Sequence, residues 1–408
     1  LSWPSSSSSR IDHGGNMATA RRFQIATEEE IRAGRVTDVY FERTRRAITA
    51  RHADKRVVGE VRVTHLPNGW EWGLLAGNNE VARLLEGLDI RVWSLPEGSL
   101  FRAGEPVLTI EGSYTIFGHL ETPFLGMLCQ ASGVATKAAR CRIAAGERTL
   151  LSFGARRMHP ALAPMIERAC YIGGCDGVST ILAAELIGIL PTGTMPHALV
   201  LLLGDTVKAA WAFHEAVSED VKRIVLIDTF QDEKFETLRV AEAMGELLFG
   251  VRFDTPASRR GDLRQLMEEV RWELDLRGYE HVKLFATGGI DSVDILALNP
   301  VCDGYGVGTS LSNAPTVNFS FDIVEIEGVP IAKRGKESGG KWVVQCPNCG
   351  ARQVIPWQRE PGHCACGGAR EVLNRPLIEG GRIVAELPTA GEIRAAALAA
   401  LPSTLTTS

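Results

Sequence analysis

No block of five or more Lys/Arg residues occurs in this chain, and its formal net charge is −5. A surface built to grip a nucleic-acid backbone is therefore not indicated. No apolar run reaches the roughly 18 residues needed to cross a bilayer as a helix. Neither a G-x-x-x-x-G-K-[ST] phosphate loop nor a dinucleotide fingerprint is present. The nine cysteines are an odd number without a disulfide framework. Cys129, Cys141, Cys170, Cys175 and Cys302 stand singly in apolar or Gly-rich text and read as buried thiols, which argues for a reducing, cytoplasmic location. The chain opens Leu1-Ser2-Trp3-Pro4 with no initiator Met and no apolar signal core. Residues 1–16 read as an appended or untranslated-derived leader, disordered, with Met17 as the natural start.

What the chain does have is a paired cysteine cluster near its end: Cys346-Pro347-Asn348-Cys349 and Cys364-Ala365-Cys366. Two tight pairs of thiolates suit a tetrahedral Zn2+, each pair closing a small chelate turn. Two disulfides or idle thiols are the alternative, and His363 offers a substitute ligand. Four protein ligands leave no open position for chemistry, so this knuckle reads as a structural clip.

At 408 residues the chain exceeds the size at which a single core keeps growing, so two or three domains are expected. Residues 17–131 mix short helices with strands. Thr27-Glu28-Glu29-Glu30 is a capping box, and a helix runs from about Asp38 to Ala50. Val61, Val63 and His65 alternate before Asn68-Gly69, which predicts a hairpin into Trp70–Leu75. Strands are expected at Arg91–Leu95 and Pro106–Glu111, making an α+β sandwich-like module. From residue 132 to 312 the texture changes. Ser132-Gly133 is placed to cap a helix ending at Ala145. Strand-like runs at Thr149–Phe153, Arg223–Ile227, Val251–Phe253, Val282–Ala286 and Gly304–Val307 then alternate with helical stretches, one of them Gly177–Ile187. This is the pattern of a parallel α/β sheet, either a barrel or an open doubly wound sheet. Residues 313–408 return to strand-like text around the knuckle and are expected to rejoin the first module.

In a parallel barrel the loops after the strands share one face. Those loops hold Phe153-Gly154-Ala155-Arg156-Arg157-Met158-His159, Arg252-Phe253-Asp254, Thr287-Gly288-Gly289-Ile290-Asp291 and Gly306-Val307-Gly308-Thr309-Ser310. Guanidinium forks suit phosphate or carboxylate, and the glycine pairs suit a backbone cradle for phosphate. Gly173-Gly174-Cys175-Asp176-Gly177 reads as a Gly-rich turn favouring an anion, or only a tight turn. His197 follows Gly193-Thr194-Met195-Pro196.

These residues carry a resemblance. Thr37-Asp38-Val39-Tyr40, Glu121-Thr122, Ser132-Gly133-Val134-Ala135-Thr136, Phe153 to Arg157, Gly173 to Gly177, Gly193 to His197, Arg252 to Asp254 and Gly288-Gly289 occur in order over about residues 20–345. The set resembles the nicotinate phosphoribosyltransferases, and the knuckle resembles that of their shorter microbial branch. The resemblance implies a type II phosphoribosyltransferase: an irregular α/β barrel, a sandwich-like N-terminal domain and a homodimer with active sites at the subunit interface. It implies nicotinate and 5-phosphoribosyl-1-pyrophosphate as substrates, ATP as co-substrate, Mg2+, and structural Zn2+ on Cys346, Cys349, Cys364 and Cys366.

By the same resemblance, Phe153 stacks on one ring face and Tyr40 of the neighbouring subunit on the other. Arg156 holds the ring substituent or an adjacent phosphate, with Asp176 in that pocket. Arg157, His159 and Arg252 bind pyrophosphate, and Asp254 and Asp291 face ribose hydroxyls or Mg2+. Gly288, Gly289, Gly306, Gly308 and Thr309 take the 5′-phosphate. His197 matches the histidine that ATP phosphorylates, although Ala198 follows where the family often has a hydroxyl residue. Quinolinate and nicotinamide phosphoribosyltransferases are the nearest rivals, and a non-catalytic zinc-ribbon scaffold is the alternative of another class.

Overall fold

The computed structural model describes residues 22–404 except 257 and 260. The expected leader and Met17 lie outside the described residues. The chain builds two sheets around two cores. A seven-stranded antiparallel sheet runs in the order Val329–Pro330, Ser320–Ile326, Arg56–Arg62, Leu108–Ser113, Ile90–Ser94, Arg375–Glu379 and Arg382–Ile383. Its outer strands come from beyond residue 312, so both ends of the chain close one sheet. Across that seam Lys341 Nζ donates to Glu60 Oε2 at 3.1 Å, with both residues buried. Burial pushes the Glu60 carboxyl up, and the lysine opposes it. Removing either partner strands a buried charge, at a cost of about 3–5 kcal/mol.

The second sheet has six strands, all parallel: Gly177–Val178, Thr149–Ser152, Gly304–Val307, Lys283–Ala286, Gly250–Phe253 and Ile224–Leu226. It is the curled sheet of an irregular α/β barrel, open between its first and last strands. Its strands are buried at nearly every residue because both faces are covered. Thr149–Ser152, the first of these strands in the chain, pairs with Gly304–Val307, the last, and the others follow in cyclic chain order, as in a barrel and without the reversal of a doubly wound sheet. The helix Ser292–Leu298 crosses between neighbouring strands as a βαβ unit requires.

One helix, Glu121–Ala145, serves both cores. Phe124 and Leu128 pack in the sheet module, and Ala131, Val134, Ala135 and Ala138 in the barrel. Sequence patterning places its start at Ser132, eleven residues late. The two hydroxyls instead work from the helix interior: Ser132 Oγ meets Ala76 N at 3.1 Å and Thr136 Oγ1 meets Leu74 N at 2.8 Å. Small side chains there allow the strand Gly73–Leu74 to approach.

The expected hairpin at Asn68-Gly69 is also corrected. Both residues adopt positive φ, but the flanking segments do not pair. Arg56–Arg62 already has partners on both edges, so Gly73–Leu74 pairs with Leu100–Phe101 instead.

Candidate active site

Parallel strands deliver their C-terminal ends to one face, and five of the six supply it. Phe153 follows Thr149–Ser152 and is fixed by its backbone N–H to Val307 O at 2.9 Å. Its ring lies against Gly306, where an added Cβ would sit 2.4 Å from ring carbon Cε2 and 2.7 Å from Thr287 Cγ2. A Cβ on Gly154 would sit 2.7 Å from Gly308 O. The glycines are thus demanded by closeness of two strand ends. The turn Ala155–Arg157 then projects Arg156 and Arg157, both exposed and, among the described residues, without a carboxylate partner. His159 is exposed beside them and accepts from Ala161 N at 3.2 Å.

Across the mouth, Arg252 is buried and aimed by Thr287 Oγ1 at 2.9 Å and Met195 O at 3.4 Å. Its Nη1 also lies 3.3 Å from Asp254 Oδ2, while Asp254 Oδ1 accepts from Thr287 Oγ1 at 2.7 Å. Asp254 lies 3.0 Å from where a Cβ on Gly288 would be, and Gly288 and Gly289 both hold positive φ.

His197 opens the helix His197–Leu203, directly after the extended N-cap residue Pro196. Its Nε2 lies 3.2 Å from Asp228 Oδ1, and its Nδ1 lies 4.0 Å from Asp254 Oδ2. Burial pushes the Asp228 carboxyl above the ordinary range, and the imidazole beside it works against that. An imidazole held between two carboxylates, next to a buried guanidinium, is equipped to carry charge beside a phosphate group.

Not every expected residue joins this group. Asp176 sits before the strand Gly177–Val178, at the opposite end of the barrel. Its carboxylate is taken by Arg142 at 2.6 Å, Arg394 at 2.8 Å and Leu150 N at 2.9 Å, so it clips the C-terminal helix Ala390–Ala400 to the barrel. Gly173 and Gly174 serve packing, against Ala135 O and the Arg142 stem, and build no anion site; Gly177 and Val178 form a strand where a helix was expected. Asp291 caps the helix Ser292–Leu298 through Oδ1, with Oδ2 4.0 Å from Lys137 Nζ. Thr309 begins the short helix Thr309–Ser312, directly after Gly308. Tyr40 lies 56% exposed on the helix Val39–Ala50 of the other module, its ring against Phe41. Asp38, at the start of that helix, is fixed by Thr122 Oγ1, which donates to its carboxylate at 2.9 Å.

Two contributors carried no role in the sequence reading. Asp228 directly follows the run Arg223–Ile227, and its place at a strand end was the available signal. Thr287, within a quoted motif, links Arg252 to Asp254.

Beside the strands Lys341–Gln345 and Arg352–Pro356, outside the barrel sheet, the Sγ atoms of Cys346, Cys349, Cys364 and Cys366 lie within 4.8 Å of one another. Three of the separations are 3.5 Å. A tetrahedral ion at about 2.3 Å from each sulfur requires roughly 3.8 Å between sulfurs, so the four residues fit a metal. His363 stays outside, bridging to Ala369.

A parallel barrel with cations, glycine loops and a carboxylate-held histidine on one face defines the phosphoribosyltransferases of the barrel type. Residues 38–132 match the family model "Quinolinate phosphoribosyl transferase, N-terminal domain", and residues 134–322 match its C-terminal domain. A nicotinate phosphoribosyltransferase of Mycobacterium tuberculosis is 31% identical, over 95% of this chain and 96% of that protein. The crystal structure of a nicotinate-nucleotide pyrophosphorylase from Pyrococcus furiosus has 52% identity and a TM-score of 0.91, over 93% of this chain and 97% of that one. Human nicotinic acid phosphoribosyltransferase shares the fold, with a TM-score of 0.71 at 22% identity over 90% of this chain and 94% of that one. The chain belongs to the nicotinate phosphoribosyltransferase family.

Proposed function

We propose that the chain transfers the phosphoribosyl group of 5-phosphoribosyl-1-pyrophosphate to the ring nitrogen of nicotinate. Nicotinate mononucleotide and pyrophosphate are the products, a salvage step of NAD biosynthesis. The observation that carries this reading is the network His197–Asp228–Asp254–Arg252–Thr287 facing the Phe153 ring, in a chain of this family. As the bond from C1 to the pyrophosphate oxygen breaks, positive charge grows on the ribose and negative charge on the leaving group. The attacking nitrogen is already a neutral nucleophile, so the protein's task is alignment and charge stabilisation.

Phe153 takes one face of the ring. Arg156 holds the carboxylate or a neighbouring phosphate, and Arg157, His159 and Arg252 hold the pyrophosphate. Asp254 faces the ribose hydroxyls or Mg2+, which neutralises the leaving group when bound. Asp291, committed to its helix cap, is left a lesser part on the same side. Gly288, Gly289, Gly306, Gly308 and Thr309 cradle the 5′-phosphate.

A second copy supplies Tyr40 to the other ring face. Support comes from the apolar side chains left bare beside the open edge of the barrel: Ile181 at 68%, Leu186 at 70%, Leu190 at 77% and Leu202 at 84% exposure. An apolar surface of that kind is the usual mark of an interface. ATP coupling runs through His197, which accepts a phosphoryl group as ADP leaves and later yields it to water. The metal of the four-cysteine site is Zn2+, and the location is cytoplasmic; no described helix is long and apolar enough to cross a membrane.

Quinolinate is the second reading, favoured by the family model's description and by three exposed cationic or titratable side chains, Arg156, Arg157 and His159, on one turn. The test offers the purified protein phosphoribosyl pyrophosphate with nicotinate, nicotinamide or quinolinate, with and without ATP. Nucleotide, pyrophosphate and CO2 are measured. Nicotinate turnover raised by ATP supports the proposal. CO2 release from quinolinate without ATP dependence replaces it with the second reading, and turnover of no pyridine overturns both.

A further inference from the structure

We propose that Lys137 binds the 5′-phosphate of the phosphoribosyl donor, adding an ammonium to the glycine loops; this rests on the function proposed above. Lys137 lies inside the helix Glu121–Ala145 between two fully buried neighbours, Thr136 and Ala138. Its side chain is only 17% exposed. An ammonium has three donors and no acceptor, and enclosing it without partners is costly. Among the described residues it makes no hydrogen bond. Its one ion-pair neighbour is Asp291 Oδ2, at 4.0 Å, too far for a hydrogen bond.

The register of two helices sets where this charge points. Asn299 Nδ2 donates to Ala144 O at 2.8 Å, tying the end of Ser292–Leu298 to the end of the long helix. Lys137 lies seven residues before Ala144, two turns back on the same face. Asp291 lies eight residues before Asn299, again about two turns. The lysine is therefore delivered to the loop that opens the second helix, where Gly288 and Gly289 hold consecutive positive φ values of 82° and 76°. Asp291 is otherwise occupied in capping: Oδ1 accepts from Val293 N at 2.7 Å and Asp294 N at 3.3 Å.

A carboxylate beside a phosphate-binding loop would repel the phosphate. An ammonium between them neutralises both and gains the acceptors it lacks. A phosphate monoester dianion supplies those acceptors at the short distances of charge-assisted hydrogen bonds. No bond is made or broken in this role; Lys137 is a binding residue.

The test compares the wild type, Lys137→Met and Lys137→Arg. Inorganic phosphate binding is titrated calorimetrically, and KM is measured separately for phosphoribosyl pyrophosphate and for nicotinate. In Lys137→Met, phosphate affinity and donor KM should each worsen about tenfold, with the nicotinate KM and melting temperature unmoved. Lys137→Arg should restore most of the loss. Unchanged phosphate affinity with a lower melting temperature would overturn the proposal and leave Lys137 a clip between two helices. The titration needs no turnover. A wild type that binds phosphate through Lys137 but transfers to no pyridine would overturn the proposed reaction and keep this site. A Met variant with full activity and unchanged phosphate binding would overturn this inference alone.

Discussion

Asp228, its side chain 2% exposed, holds Nε2 of His197 at 3.2 Å while the imidazole itself remains 37% exposed. A buried carboxylate behind a reachable imidazole fixes the ring's orientation and stabilises positive charge on it. It also leaves the ring open to a phosphoryl donor.

Asp228→Asn keeps the shape and removes the charge. The acid-labile phosphate on His197 formed from ATP should fall, and with it the ATP stimulation of nicotinate turnover, on the order of a hundredfold. ATP-independent turnover should fall far less. Phosphate incorporation after rapid quench, beside steady-state rates with and without ATP, checks this.

Gly306→Ala places a Cβ 2.4 Å from the Phe153 ring, and Thr287 blocks retreat on the other side. The ring must tilt, and misplacement by about 1 Å is enough to cost on the order of a hundredfold in rate. The loss should appear in kcat/KM for nicotinate, with a smaller change in affinity for inorganic pyrophosphate. Equal losses for both would mean the whole strand end had shifted.

Cys346→Ser with Cys349→Ser removes half of the ligand set between the strands Lys341–Gln345 and Arg352–Pro356. Metal content should drop from one ion per chain to near zero. The melting temperature should fall by roughly 5 °C or more, while the KM values of molecules still folded stay within about twofold, because the site is closed and lies outside the barrel sheet.

Glu121 gives a pH dependence. Burial pushes its carboxyl from 4.5 up to about 7, helped by the like charges of Asp322 and Asp38. Lys336 is nearby but is paired with Asp322 at 2.8 Å. Between pH 4.5 and 7 the folded chain holds a proton at Glu121 that the unfolded chain has released, so its contribution to stability falls as pH rises and is fully lost above about 7. Glu121→Gln should remove that slope. Urea unfolding of both proteins from pH 4.5 to 8 checks it: the variant's relative stability should climb with pH across the window.

Where local chemistry decided the outcome, the sequence was readable. The alternation of apolar runs with helical stretches located the barrel strands, and Gly304–Val307 emerged at the expected residues. The strand-end glycines and Arg252 were legible because only strands delivering to one face gather such residues together.

Distant partners hid the rest. Asn68-Gly69 is a sound turn, but whether its flanks pair depends on Ser320–Ile326, some 250 residues away, already occupying the edge of Arg56–Arg62. Ser132 resembles a cap until the strand Gly73–Leu74 arrives to use its hydroxyl neighbourhood from the side. Asp176 carries the polar character of a site residue, and only Arg394, near the chain's end, shows that it is a clasp. Asp228 had no motif of its own; it acquires meaning from the imidazole that a separate helix brings to it.

The central claim, pyridine phosphoribosyl transfer at the barrel mouth, is tested most directly by proton and phosphorus NMR of one reaction. It contains the purified wild type, Mg2+, phosphoribosyl pyrophosphate and equal concentrations of nicotinate, nicotinamide and quinolinate. The account predicts that pyrophosphate appears in step with nicotinate mononucleotide, its C1–N bond visible in the anomeric proton, while the other two pyridines stay intact. Preferential consumption of quinolinate, or pyrophosphate release with no pyridine nucleotide formed, would contradict it.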